Sequence, residues 1–167
     1  SDPYGIRLAN MLKERIQKSL VLVEMYEALD KKTSQTKDYK AIIENAKALQ
    51  VDAILYSGYH PEAAKLVKAA RANALKIHFI SGDGVRDPEF IKSAGKHAEG
   101  YFTTAPLETT SPKYMDAFES AYKKSFGKDP GTFAAPTYTA IKSLYFAIQK
   151  ARSTKAEDIA KVMREQK

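Results

Sequence analysis

Val51-Asp52-Ala53-Ile54-Leu55-Tyr56-Ser57-Gly58-Tyr59-His60-Pro61-Glu62 decides the fold. Its first half is a short apolar run of the length of a buried strand, and Pro61-Glu62 suits a first helical turn. Ser57, Gly58 and Tyr59 therefore stand where the carboxyl end of a strand opens onto a helix N-terminus, the edge at which open α/β sheets bind ligands. The arrangement returns at Ile77-His78-Phe79-Ile80-Ser81-Gly82-Asp83-Gly84. Two consecutive strand ends thus bring Tyr59 and Asp83 to one rim, an aromatic wall beside a carboxylate, which suits a small cationic or zwitterionic ligand.

Working outward, helix and strand alternate almost throughout, predicting an α/β fold with a mainly parallel sheet, Rossmann-like or flavodoxin-like in three layers. A helix is expected from Pro3 to Lys18, a Val- and Leu-rich strand from Leu20 to Tyr26, and a polar loop from Glu27 to Thr36. The next helix, capped by Ser34 or Thr36, runs to near Gln50. Its Tyr39, Ile42, Ile43, Ala46 and Leu49 fall three and four apart and bury one face. Then come strand Val51 to Ser57, helix Pro61 to Leu75 and strand Lys76 to Ser81. A short helix Pro88 to Ala94 and a short strand Glu99 to Thr104 follow. Ser111-Pro112 opens a helix to about Phe126, and Gly127-Lys128-Asp129-Pro130-Gly131 breaks the chain. Helices Thr137 to Ala151 and Lys155 to Arg164 complete it, with Tyr138, Leu144, Tyr145 and Ile148 read as a face packing on the sheet. One domain over residues 1–167 is expected, with no internal repeat or linker. The pattern opens on a helix where parallel α/β domains begin with a strand, and it stops at a helix. The chain is therefore expected to be a piece of something longer.

At 167 residues the chain is long enough to bury a sizeable core. No apolar run approaches the roughly 18–20 residues that span a bilayer, and Ser1-Asp2-Pro3-Tyr4 has no leader pattern. Absent cysteines exclude disulfides, thiolate catalysis and cysteine metal sites. The formal charge of +7 raises the question of polyanions. The basic residues are dispersed along helices, however, and match no nucleic-acid motif, so solvated helix faces are expected. His60, His78 and His97 make no metal constellation. Gly82-Asp83-Gly84 is no dinucleotide fingerprint, and no nucleophile elbow or triad is present. Neither a catalytic residue nor a cofactor is expected.

Several segments together resemble the periplasmic branched-chain amino-acid binding proteins, the type I solute-binding proteins of ABC transporters. They are Asp2-Pro3-Tyr4-Gly5, Tyr26-Glu27-Ala28 with Asp38-Tyr39-Lys40, and Tyr56-Ser57-Gly58-Tyr59-His60-Pro61-Glu62-Ala63. Phe79-Ile80-Ser81-Gly82-Asp83-Gly84-Val85, Pro88-Glu89-Phe90-Ile91-Lys92, Ala94-Gly95 with Glu99-Gly100, and Phe133 to Tyr138 complete the set. The resemblance runs in unbroken order along essentially the whole chain. It is weakest at Lys18-Ser19-Leu20, where relatives usually carry a glycine-rich turn.

Family members have two Rossmann-like lobes that close on a ligand, and this chain resembles the second lobe only. The resemblance implies that Tyr4, Tyr59, Asp83 and Phe133 line the cleft. Asp83 would pair with the ligand ammonium, Tyr59 and Tyr4 would offer hydroxyls and ring faces, and Phe133 would cover the aliphatic side chain. Ser57 and Ser81, at the two strand ends, are candidates for polar contacts. The resemblance further implies an amino-acid ligand, an ABC permease as partner of the full-length protein, and an extracytoplasmic location. With the first lobe absent, weak binding in the range of about 1 mM, near −4 kcal/mol, is expected, as is self-association through the exposed cleft face. Three rival readings remain. One is a ligand-sensing domain of a receptor or regulator with the same fold. Another is a flavodoxin-like enzyme or phosphate binder that uses the helix N-terminus after Gly58. The last is a truncated or engineered fragment without retained binding.

Overall fold

The computed structural model describes residues 3–29, 36–105 and 111–165, so the Ser34 cap and Asp2 lie outside the described residues. The chain divides into two compact units, Ser1–Leu107 and Glu108–Lys167.

The described residues of the first unit form the α-helices α1 (Pro3–Ile16), α2 (Thr36–Ala48), α3 (His60–Ala72) and α4 (Pro88–Ala94), and strands β1 (Ala53–Tyr56), β2 (His78–Ser81) and β3 (Tyr101–Thr103). The strands form one parallel sheet in the order β1-β2-β3. Its core follows from helical spacing. On α2, Tyr39, Ile43 and Ala46 recur at four and three residues and are buried. On α3, Ala63, Ala64, Leu66, Val67 and Ala70 are buried, the alanines allowing close approach to neighbouring helices. Phe79 of β2 joins them, with Val85 and Phe90. Tyr101 of β3 stacks on Phe79 at 5.5 Å between centroids and meets the Phe90 ring edge-on at 4.8 Å. Asp87 caps α4, its side chain accepting from the Glu89 amide at 2.9 Å.

Register places the site. Ala53 pairs with His78 and Tyr56 with Ser81, while Ser81 pairs with Thr103. The three strands therefore end on one row, and the Thr104 amide donates to the Ser81 carbonyl at 2.9 Å. The connections leaving β1 and β2, Ser57-Gly58-Tyr59 and Gly82-Asp83-Gly84, consequently emerge side by side.

One expected strand is not formed. Residues 20–26 take no place in the sheet, and Leu22 is 82% exposed. Apolar composition makes a strand only where a neighbour accepts its backbone hydrogen bonds. Among the described residues no strand does so for this segment. It is tethered instead at its end. The Tyr26 hydroxyl donates to Asn10 Oδ1 at 2.7 Å, and Lys13 Nζ lies 4.9 Å from the Tyr26 ring centroid.

The second unit consists of α5 (Pro112–Phe126), α6 (Ala134–Ala151) and α7 (Ala156–Glu165), with no strand among its described residues. Gly127 ends α5 in the left-handed conformation. Phe118 packs against Tyr138 at 5.5 Å, and Ala135 and Ala147 of α6 are buried. The sheet-packing face expected on α6 is not found, since Tyr138, Leu144 and Tyr145 are exposed.

Candidate functional site

Three side chains from three elements converge at the carboxyl edge of the first unit's sheet. Tyr4 comes from the first turn of α1, Tyr59 is the N-cap of α3, and Asp83 follows β2 at the start of a short 3-10 turn, Asp83–Val85. The Tyr4 hydroxyl donates to Asp83 Oδ1 at 2.9 Å. The Tyr4 and Tyr59 rings lie 5.6 Å apart and are tilted by 38°, within the range where aromatic pairs attract. Tyr4 is 38% exposed and the other two are half-buried, so the cluster forms an accessible rim.

The glycines flanking Asp83 make this approach feasible. Gly-Asp-Gly suggests a tight turn needing positive φ, yet φ at Gly82 is −71°, and among the described residues only Gly95, Gly100 and Gly127 are positive-φ glycines. The requirement is space. A Cβ on Gly82 would stand 2.8 Å from the Tyr4 hydroxyl oxygen and 3.1 Å from Leu8 Cδ2. A Cβ on Gly84 would stand 2.8 Å from the Gly58 carbonyl oxygen and 3.2 Å from Tyr59 Cδ1. Gly82 thus admits Tyr4 on one side of Asp83, and Gly84 admits Tyr59 on the other.

Electrostatics fix the protonation of Tyr4. Burial first, then its hydrogen bond to Asp83 and the charge of that carboxylate, push the phenol up to about 12; the Gly84 backbone amide opposes the shift. Tyr4 is therefore a proton donor throughout the physiological range, and Asp83 accepts. A carboxylate bounded by two electron-rich ring faces is chemically suited to an ammonium group. It offers a charge-assisted hydrogen bond and a cation–π contribution of roughly 0.5–2 kcal/mol.

The remaining candidates fall elsewhere. Ser81 is only 5% exposed, and its hydroxyl is paired with the Tyr101 hydroxyl at 2.6 Å. It ties β2 to β3 beneath the rim. Ser57 is half-buried in the connection after β1. Phe133 belongs to the second unit, where it is the N-cap of α6 and 49% exposed. No group of three or more metal-ligating side chains stands together among the described residues.

The profile of a family described as periplasmic binding protein matches residues 28–167. The chain belongs to that family. It is 28% identical over 161 residues to the leucine-, isoleucine-, valine-, threonine-, and alanine-binding protein of Pseudomonas aeruginosa, which covers 96% of this chain and 42% of that relative. It is 30% identical over 159 residues to the leucine-specific-binding protein of Salmonella typhimurium, again covering 42% of the relative's length. The crystal structure of a leucine binding protein from Thermotoga maritima superposes with a TM-score of 0.80 at 30% identity, over 99% of this chain and 47% of that one. A branched-chain amino acid transporter substrate binding protein from Streptococcus pneumoniae, solved with isoleucine, shares the fold with a TM-score of 0.77 at 24% identity. The chain spans somewhat under half the length of these relatives. Its fold class is α/β with a parallel sheet, that of the type I periplasmic binding proteins.

Proposed function

We propose that this chain is a ligand-binding portion of an extracytoplasmic solute-binding protein for branched-chain or related amino acids, serving an ABC importer in the full-length protein. The observation that carries the reading is the Tyr4–Asp83 hydrogen bond set beside the Tyr59 ring. It holds a carboxylate in one orientation at an aromatic rim, where the ammonium of an amino acid would dock. The family membership and the names of the relatives supply the ligand class. The work is binding without chemistry: the ligand favours whichever conformation holds it more tightly, and only by that difference in affinity. Tyr4, Tyr59 and Asp83 are the proposed ammonium end. Ser57, in the connection after β1, is proposed as a minor polar contact.

Titration of the chain with leucine, isoleucine and valine, followed through its backbone amide resonances, tests this. Amides from Gly58 to Tyr59 and from Gly82 to Gly84 should shift with an affinity near about 1 mM. An aliphatic carboxylic acid lacking the amine should leave them unmoved. Equal shifts from that acid, or none from any amino acid, would overturn the reading.

A further inference from the structure

The Tyr59 side chain projects from a connection that must itself be held in place. Tyr56, the last residue of β1, folds its side chain back beneath that connection, so that any Cβ added to Gly58 would collide with the phenol ring and hydroxyl. The Tyr59 backbone amide donates to the Tyr56 hydroxyl. The Gly58 carbonyl oxygen in turn lies against Gly84, close enough that a methyl there would stand only 2.8 Å away. The Gly58–Tyr59 peptide is thus clasped between the Tyr56 phenol below and the Asp83 turn beside it.

The phenol is itself firmly seated. Burial first, and then the Glu62 carboxylate, push its pKa well above the ordinary tyrosine value. Glu62 lies in the first turn of α3, and its Oε2 is buried without a hydrogen-bond partner among the described residues. Tyr39, nearly fully buried, and Tyr101 flank the same position. The Tyr56 hydroxyl therefore stays protonated in a layer of phenols and one carboxylate beneath the rim.

We propose that Tyr56 is a positioning residue for ligand binding: its hydroxyl, accepting the Tyr59 amide under the Gly58 turn, fixes the peptide that aims the Tyr59 ring at Tyr4 and Asp83. The proposal rests on the reading of Tyr59 as a ligand wall. No contact between Tyr56 and ligand is involved; it acts through Tyr59 alone.

Tyr56→Phe tests it, because the ring still fills the space under Gly58 while the acceptor is lost. Residue-resolved hydrogen exchange should show the Tyr59 amide exchanging about fivefold to tenfold faster, the value of one hydrogen bond. Amides deeper in α3, such as those of Leu66 and Val67, should keep their wild-type rates. Leucine affinity should fall by about threefold to tenfold. Gly58→Ala, which drives a methyl onto the phenol, should reproduce the local loosening with Tyr56 intact. Should that variant fail to fold, Tyr56→Phe decides by itself. An unchanged Tyr59 rate would overturn the proposal, as would acceleration shared evenly along α3, since Tyr56 would then be ordinary packing. Unaltered leucine affinity with a loosened Tyr59 would overturn it too. If the wild-type chain binds no amino acid, the proposed function fails, and the exchange rate alone decides whether Tyr56 positions Tyr59.

Discussion

Replacing Gly84 by alanine separates a steric account of the Gly-Asp-Gly segment from a conformational one. The new Cβ would stand 2.8 Å from the Gly58 carbonyl oxygen and 3.2 Å from Tyr59 Cδ1. Carbon and carbonyl oxygen rest at about 3.3–3.6 Å, so the first contact falls short by about 0.5 Å or more and involves backbone, which yields poorly. Overpacking of this kind costs about 1–3 kcal/mol. Against it stands the loss of chain freedom in the unfolded state, which favours alanine by about 0.4–1 kcal/mol where the backbone tolerates it. Gly84 is not among the positive-φ glycines, so no dihedral penalty is added. Overpacking wins, and the net destabilisation is about 1 kcal/mol, a fall in melting temperature of about 2–4 °C for a chain of this size. Thermal melting by circular dichroism gives that number, and the side-chain resonances of Tyr59 show whether its ring has been displaced. A variant that melts at or above the wild-type temperature with Tyr59 unmoved would refute the claim that Gly84 exists to admit the tyrosine.

Three further perturbations follow from the same geometry. Asp83→Asn removes the charge proposed to face the ligand ammonium and should weaken amino-acid affinity about tenfold or more; calorimetry showing equal affinity would contradict the proposed ammonium role. Ala74 sits at φ +53° just beyond α3, a conformation costing non-glycine residues about 1–2 kcal/mol. Ala74→Gly should therefore stabilise by about 0.5–1 kcal/mol in urea unfolding, despite the greater freedom of glycine in the unfolded chain, and a loss of stability would count against the strain. Burial pushes the Tyr101 phenol up to about 12, with the Ser81 hydroxyl opposing. The folded chain then keeps a proton that the unfolded chain has already lost above its ordinary value near 10. That contribution is complete below about pH 10 and disappears as pH rises towards about 12. Urea midpoints measured across that window should fall less steeply for Tyr101→Phe than for wild type, and parallel curves would exclude the effect.

The periodicity of α2 and α3, the three strands and the meeting of Tyr59 with Asp83 were all legible in the residues. The last follows from parallel strands in register, since apolar runs that end together must release their loops together. The contact of Tyr4 with Asp83 was not legible in that way. It spans 79 positions, and no local pattern encodes which helix turn reaches which strand end; only the family resemblance placed Tyr4 nearby. Residues 20–26 and the α6 face failed for a shared reason. Apolar spacing reports what a segment needs to bury, not whether a partner is there: among the described residues no strand pairs with the first, and Tyr138, Leu144 and Tyr145 of the second stay exposed. Ser81 looked available because strand-end serines often are, and its pairing to Tyr101 depends on cross-strand neighbours. Tyr56 was overlooked because a terminal strand tyrosine carries no local sign that its ring turns back under its own loop.

The glycines on either side of Asp83 also shape how this site can diverge. Any side chain at position 82 meets Tyr4 and Leu8, and any at position 84 meets Tyr59 and the backbone of Gly58. Single substitutions at those two positions disturb the rim itself. Position 83 is the one of the three that already carries a side chain, and a change there alters the hydrogen bond to Tyr4 while leaving the spaces at both glycines intact. On the proposed reading, drift toward a ligand of different charge has a single-codon route through this segment, and the two glycines act as its fixed banks.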